Sequence, residues 1–510
     1  MRLLQRMSEI DMIYSTSSTR NRWALFTTAK KSNVLWLLVV GILAGIVFPL
    51  TKSLAGVQDA DGILASLIST QKLTWYFWGQ DRLLNFMPAL TALVTDAEWN
   101  LRVQIFLRAF FAFLAPIGIL YFFSQSARFL TFAVVLTNLL LTLALSQSGS
   151  FNYYVEYNTF ETSLVIFTLS FSVLRINEKR VFCNVISLIT GFVAYASYLA
   201  LPVIIFPLIV ISFFFRLFPR GQLVRLLVIH SICITLAYVH SKIYGVAVTQ
   251  YGLSISLHAI MAGYTMVADN VAWIKLSFLG LVAVIFYGLY TRSKTFWPVV
   301  LVAFASIGLM GFLSCSVWAQ MNGYNLRYYL MPLVSAVACI SYLLSSLMCR
   351  FLGRAERMWL VIGALMISAW LFGLHGLSPS YSELVGPAWR DHSRAVAAEA
   401  ITSKAQLVIG DYWGVWPAVF DTYAMRSGAE SRSLPVYGAA FRGYVLRKRV
   451  LRLSSEKGGI RALCLIDSTD ECTKAAIDAF QASVTIEAGS LRKVVVDNVP
   501  MLMMTVKFSL

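Results

Sequence analysis

The sequence predicts an α-helical polytopic membrane protein of about eleven transmembrane helices, followed by a small C-terminal α/β domain. Three observations predict it. The 510 residues are 58% apolar and only 13% charged, with a mean hydropathy of +0.70, whereas soluble domains run nearer a quarter charged. Apolar runs of roughly 20 residues, enough to cross ~30 Å of hydrocarbon, recur along the first three quarters of the chain. The last 130 residues or so lose that pattern and alternate short β-type runs with amphipathic stretches. An ordinary cytosolic enzyme is excluded, and so is disorder, because 34 Phe, 23 Tyr and 13 Trp demand burial in protein or lipid.

The apolar runs fall at roughly 33–52, 103–123, 128–146, 160–174, 181–197, 199–215, 224–240, 272–290, 296–317, 328–348 and 358–375. The two meeting at Leu199–Pro202 are short and also suit a tight hairpin. The first run lies behind 32 residues and is long enough to span, so it reads as an anchor rather than a cleavable signal. With residues 1–32 inside, the inner segments carry 18 basic and four acidic side chains, which is +14 of the chain's +17. The outer loops hold eight of each sign and the tail 16 basic against 13 acidic. The basic excess is therefore mostly the positive-inside signal, and nucleic acid is not the expected partner. An odd number of spans puts the tail outside.

Three external segments are longer than a simple connection needs: about 53–100, 147–159 and 241–271. In the first, Ile63–Trp78 is apolar but interrupted by Ser, Thr, Gln and Lys, which predicts a helix lying in the headgroup layer. The tail, 377–510, is long enough for a domain of its own. QLVIGDYW, RALCLI, KVVVDNV and MLMMTVKF read as strands. GVWPAVFDTYAMRSG, closed by Gly428, and TDECTKAAIDAFQA read as helices. Five cysteines (Cys183, Cys233, Cys315, Cys339, Cys349) sit in or beside apolar runs, where packing explains them, while Cys464 and Cys472 lie in the external tail where a disulfide is permitted. No Cys/His spacing of a metal site occurs.

Ionisable groups are expensive near hydrocarbon, so those at the outer boundary are the candidates for chemistry. Gln58-Asp59-Ala60-Asp61-Gly62 follows the first run directly. Asp59 and Asp61 suit a general base or a cation ligand; Asp61 equally suits the N-cap of an apolar helix. Trp78-Gly79-Gln80-Asp81-Arg82 sets Asp81 and Arg82 among aromatics, as substrate contacts or as a local ion pair. Glu156 and Glu161 lie at the outer start of the fourth run, Glu161 inside its apolar stretch. Asn325-Leu326-Arg327-Tyr328 opens a late run, and the planar fork of Arg327 matches a phosphate, of a substrate or of a lipid. Lys242 and Lys275 are weaker candidates on the same side. In the tail, Asp411 and Trp413 of Gly410-Asp411-Tyr412-Trp413 suit a sugar, through hydroxyl hydrogen bonds and ring stacking, or a strand-end turn packed on the membrane face.

Carboxylates and an arginine on one membrane face suit a hydroxyl attacking a sugar carried on a lipid phosphate. With the acidic DADG, the WGQDRLLNFMPAL stretch, LRYYLMPL opening a late run and the external GDYWGVWPAVF, the chain resembles the GT-C superfamily of polytopic glycosyltransferases that use polyprenyl-phosphate sugars. It looks most like bacterial inner-membrane enzymes that decorate O-antigen, part of lipopolysaccharide, or other surface glycans, including glucosyltransferases. The resemblance implies a GT-C-like transmembrane domain, a periplasmic tail, a polyprenyl-phosphate sugar donor and a glycan acceptor. It implies Asp61 or Asp59 as base, Glu156 and Glu161 near the site, and Arg327 on the phosphate. Some members bind a divalent cation with such acids and others require no cofactor, and this chain lacks a tightly paired acidic motif in its second loop. A flippase for a lipid-linked glycan, or an O-antigen ligase or polymerase, are the alternatives on the same substrates.

Overall fold

The computed structural model describes residues 60–124, 127–174, 180–246, 252–290, 295–352, 387–426 and 435–509, with isolated positions within 38–45 and at 363 and 367. Residues 1–32, Asp59, Gly428, much of the first apolar run and nearly all of the last lie outside the described residues. The helical part comprises α1 (Ala60–Thr70), α2 (Phe86–Thr91), α3 (Ala97–Leu114), α4 (Ile117–Leu120), α5 (Ala127–Ala144), α6 (Gln147–Tyr154), α7 (Phe160–Leu174), α8 (Arg180–Ser197), α9 (Pro202–Phe214), α10 (Arg220–Tyr244), α11 (Leu257–Asn270), α12 (Trp273–Tyr290), α13 (Phe296–Ser314), α14 (Val317–Met321) and α15 (Leu330–Leu352).

Among the described residues four helical stretches are long and apolar enough to cross a membrane: Ala97–Leu120, Arg220–Tyr244, Phe296–Ser314 and Leu330–Cys349. Six further apolar helices are shorter, five of them at the expected runs. The figure of eleven full-length spans is therefore not reproduced among the described residues. The lipid-facing and central helices differ as their sequences require. Val224, Val228, Ile232 and Leu236, spaced four apart on α10, are all exposed, as a stripe against hydrocarbon must be. On α15, Leu333, Val334, Val337, Ala338 and Cys339 are wholly buried.

One expectation is overturned. The Ile63–Trp78 stretch is not a helix at a lipid surface: α1 ends at Thr70, and Ala60 and Gly62–Ser69 are all buried. Its hydroxyls are satisfied internally, Ser66 Oγ donating to Ala97 O at 3.0 Å and Ser69 Oγ to Pro88 O at 2.8 Å. The tail and the neighbouring helices bury it together. Tyr412–Met425 of the tail and α3 both pack on α1, so a segment whose polar residues resemble an interfacial face is in fact an interior helix.

The tail continues with α16 (Pro387–Thr402), β1 (Leu407–Ile409), α17 (Tyr412–Met425), β2 (Tyr437–Ala439), α18 (Arg447–Lys457), β3 (Ile460–Cys464), α19 (Thr469–Phe480), β4 (Ser483–Ile486), β5 (Arg492–Val496) and β6 (Val499–Ser509). Its six-stranded sheet has the order β2-β1-β3-β6-β4, with β5 also on β6. β1 is parallel to β2 and β3, Val408 lying opposite Gly438 and Leu463; β6 is antiparallel to β3, β4 and β5. The strand and helix segments expected in the tail are present, and β2, β4, α16 and α18 lie outside them. Gly438 is required, because a Cβ there would lie 2.7 Å from the Trp416 ring. Trp416 and Trp78, both fully buried with centroids 5.7 Å apart, join tail to loop, each worth about 4 kcal/mol at ~25 cal/mol per Å². Cys464 and Cys472 are disulfide-bonded.

Candidate active site

Asp61 sits in the first turn of α1, where the macrodipole favours a carboxylate. Its neighbours come from far along the chain. Arg327 Nη1 lies 3.1 Å from Oδ2, Arg442 Nη1 lies 2.9 Å from Oδ1, and the Tyr412 hydroxyl donates to Oδ1. Arg327 Nη1 also lies 3.0 Å from Glu156 Oε1. Two carboxylates and two guanidinium groups thus form one network of low exposure. Burial by itself raises the pKa of Asp61, but Arg442, Arg327 and the Tyr412 hydroxyl outweigh it, and the carboxyl is held below its ordinary value of 3.8. The carboxylates of Glu156 and Asp61 likewise overcome the burial that would lower Arg327, and its guanidinium is held above its usual range.

Local structure explains each position. Arg327 lies on the 3-10 turn Leu326–Tyr328, whose start is capped by Asn325 Oδ1 accepting from the Arg327 N–H at 3.0 Å. Its Nη2 donates to the Tyr328 hydroxyl at 3.1 Å. Tyr412 follows β1 and Arg442 follows β2, at the carboxyl ends of neighbouring parallel strands. That edge of an open α/β sheet is where such domains bind ligands, and here it receives Asp61. Arg442 has φ 75°, left-handed for a residue with a Cβ. Its guanidinium is held among Phe77, Tyr412 and Phe441, 5.0, 5.1 and 5.4 Å from the ring centroids.

A cavity of about 210 Å³ opens from this network. Phe77, Gln80 and Arg82 of the first loop line it, with Tyr157–Phe160, Tyr198–Ala200, Trp318 and Tyr328, and Asp61, Arg327 and Arg442 at its charged end. Arg82 Nε donates to Gln80 Oε1 at 3.2 Å, and its guanidinium carbon lies 5.8 Å from the Trp318 ring centroid. Three guanidinium groups against the two carboxylates of Asp61 and Glu156, in a site lined by aromatics, suit an anionic oxygen-rich group of small size.

Of the residues singled out in the sequence, Asp61, Glu156 and Arg327 are brought together and Arg82 lines the same cavity. Asp81 turns away and pairs with Lys242 Nζ at 2.9 Å, not with Arg82. Glu161 is buried and does not line the cavity, and its Oε1 has no hydrogen-bond partner. Asp411 is the N-cap of α17, its Oδ1 accepting from the Trp413 and Gly414 N–H groups at 2.8 and 3.0 Å. Trp413 stands 53% exposed beside Tyr412, outside the cavity lining. In the tail motif the residue that reaches Asp61 is Tyr412.

Arg442 and Arg108 are not singled out by the sequence, and Tyr412 of the tail motif meets Asp61 through its hydroxyl. Arg108 is buried in α3 and donates from Nη1 to Val155 O and from Nη2 to Gly62 O, both at 3.1 Å. It thereby ties the segment after Asp61 to the segment before Glu156. A signal for it exists: Asn100, Gln104 and Arg108 recur every four residues in an apolar run, one polar stripe on one helix face. Arg442 carries no such signal, because its surroundings depend on a left-handed turn and a sheet edge. Asp61 and Glu156 both face Arg327, and among the described residues no three His, Cys, Asp or Glu side chains converge.

No protein family and no curated protein matches the chain in sequence. Among solved structures it is similar to ArnT from Cupriavidus metallidurans bound to undecaprenyl phosphate, at 12% identity and a TM-score of 0.47, over 95% of this chain and 98% of that one. It is similar also to the archaeal oligosaccharyltransferase AglB from Archaeoglobus fulgidus in complex with an inhibitory peptide and a dolichol-phosphate, at 11% identity and a TM-score of 0.39, over 85% and 70%. A third is the arabinofuranosyltransferase AftD from Mycobacteria, at 14% identity and a TM-score of 0.40, over 92% of this chain and 41% of that one. At these identities and scores they are likenesses of overall shape only.

Proposed function

We propose that the chain is a GT-C-type glycosyltransferase of the bacterial inner membrane. It moves a sugar, glucose being one candidate, from a polyprenyl-phosphate donor to an O-antigen or other surface-glycan acceptor at the periplasmic face. In this reading residues 1–32 are cytoplasmic, 33–376 form the membrane domain and 377–510 the periplasmic domain. The observation that supports it is the Asp61 carboxylate gripped between Arg327 and Arg442 at the end of an aromatic-lined cavity.

The chemistry follows from that arrangement. The acceptor hydroxyl oxygen attacks the anomeric carbon while its proton passes to Asp61. The bond from the anomeric carbon to the phosphate oxygen breaks, and the electron pair leaves on the phosphate. Arg327 and Arg442 are the groups that neutralise that developing charge, and inversion at the anomeric carbon is the expected course. The arginines have a second effect. A donor phosphate competes with Asp61 for them, so donor binding releases the carboxylate and returns its pKa toward the ordinary range. The base is weak until the substrate that needs it has arrived.

The test is direct: purified protein is incubated with a panel of polyprenyl-phosphate sugars and surface-glycan acceptors, and products are analysed by mass. Transfer of one hexose with release of polyprenyl phosphate supports the reading. Movement of an intact lipid-linked glycan across vesicles, with no bond exchanged, replaces it with transport.

A further inference from the structure

Where the first loop meets the tail, positive charge accumulates without counter-charge among the described residues. Lys72 Nζ donates to Val445 O at 2.6 Å, and Arg449 Nη1 donates to Gln71 O at 2.7 Å. These bonds bring Lys72 beside Lys448 and Arg449, whose charges, after burial, hold the Lys72 ammonium below its usual value. Arg447, Lys448 and Arg449 occupy the first turn of α18, which contains no acid. That is the end of a helix where the dipole opposes cations and favours anions. Arg452, farther along, has Glu456 at 2.6 Å; among the described residues Lys72, Lys448 and Arg449 have no carboxylate partner. A run that breaks the local charge rule so consistently points to an anion from outside.

The neighbourhood identifies the anion. Three residues after Lys72, at most about 10 Å of chain, Trp75 is 60% exposed and packs edge-on against His240 at 5.3 Å. Tyr238 and Tyr244, also exposed, stand with it at the end of the membrane-crossing helix α10. Exposed Trp and Tyr at the end of such a helix mark the level of the lipid headgroups. The cations are thus set beside the headgroup layer, with Lys448 and Arg449 exposed.

We propose that Lys72, Lys448 and Arg449 form a docking surface for anionic phospholipid headgroups, seating the sheet domain on the bilayer. Phosphate oxygens supply the acceptors the cluster lacks, and the attraction per cation is that of a juxtamembrane basic patch. This surface is independent of the transferase reading and stands if that reading fails.

The test uses the full chain in nanodiscs of phosphatidylcholine with and without phosphatidylglycerol, measuring by mass spectrometry the lipids retained on extraction. The wild-type protein is expected to retain phosphatidylglycerol severalfold above its bulk share. Lys448→Gln, at an exposed side chain with no ion pair among the described residues, is expected to fold normally and lower that enrichment about threefold to fivefold. Adding Lys72→Gln and Arg449→Gln should abolish it. Equal enrichment in the wild type and Lys448→Gln overturns the proposal. So does a wild type indifferent to phosphatidylglycerol, including one whose cluster binds only a phosphorylated glycan acceptor.

Discussion

The Arg442 guanidinium, just past a strand of the tail sheet, lies 2.9 Å from Asp61 Oδ1, a carboxylate 381 residues earlier in the chain. The candidate base is therefore positioned jointly by a membrane-side loop and by the carboxyl edge of the parallel strands of the α/β domain. Arg442→Ala is expected to lower kcat/KM for sugar transfer at least tenfold and to expose the tail to limited proteolysis. Arg442→Lys should restore little, because an ammonium lacks the fork that meets the carboxylate and the flat face that meets Phe77 and Tyr412. Lysine restoring full activity would show that charge alone is required.

The depressed pKa of Asp61 makes a pH prediction with a definite sign. Its stabilising contribution is complete above the ordinary value of 3.8 and is lost as pH falls through the lower, folded-state value. The difference in thermal stability between wild type and Asp61→Asn should be constant from pH 8 to 5, about 3 kcal/mol for a broken, largely buried pair. It should shrink below about pH 4. A difference that grew on acidification would mean that Asp61 is protonated in the folded protein.

Arg108 is a positioning residue rather than a catalytic one. Arg108→Gln frees Val155 O and Gly62 O and loosens Asp61 against Glu156. Kinetics should show kcat down about 100-fold, as a misplacement of roughly 1 Å produces, with donor KM little changed. A rise in KM alone would place Arg108 in donor binding instead.

Glu156 and Glu161 should separate sharply. Glu156→Gln weakens the hold on Arg327 and is expected to reduce transfer at least tenfold. Glu161→Gln replaces a buried carboxyl whose Oε1 has no hydrogen-bond partner, so activity should stay within threefold and stability should hold or rise. Activity measurements on the two variants side by side decide it.

Much of this was legible in the residues because a membrane makes ionisable groups expensive. Asp61, Glu156 and Arg327 stood out as charges at apolar boundaries, and they converge. What was illegible depended on the tail's fold. β2 is only Tyr437–Ala439, too short for alternation to register, yet it delivers Arg442. The polar residues of α1 match a surface helix, and the packing of α17, α3 and α2 around it makes it internal. Asp411 and Trp413 drew attention by their chemistry, but the N-cap geometry spends Asp411 on backbone N–H groups and aims Tyr412 at Asp61.

The Cys464–Cys472 bridge closes a short loop, with a sequence separation of 8. Replacing both cysteines by alanine should destabilise the sheet domain by roughly 2–3 kcal/mol. Asp61 and its partners lie elsewhere, so the transfer rate below the melting temperature should be unchanged. A kinetic defect at low temperature would tie the bridge to the site.

The most direct test of the central claim is the rate of sugar transfer from a polyprenyl-phosphate donor by purified Asp61→Asn, compared with wild type in the same detergent. With Asp61 as the general base, transfer should fall about 100- to 10,000-fold while the variant remains inserted and folded. A folded Asp61→Asn protein within tenfold of wild type would contradict the account.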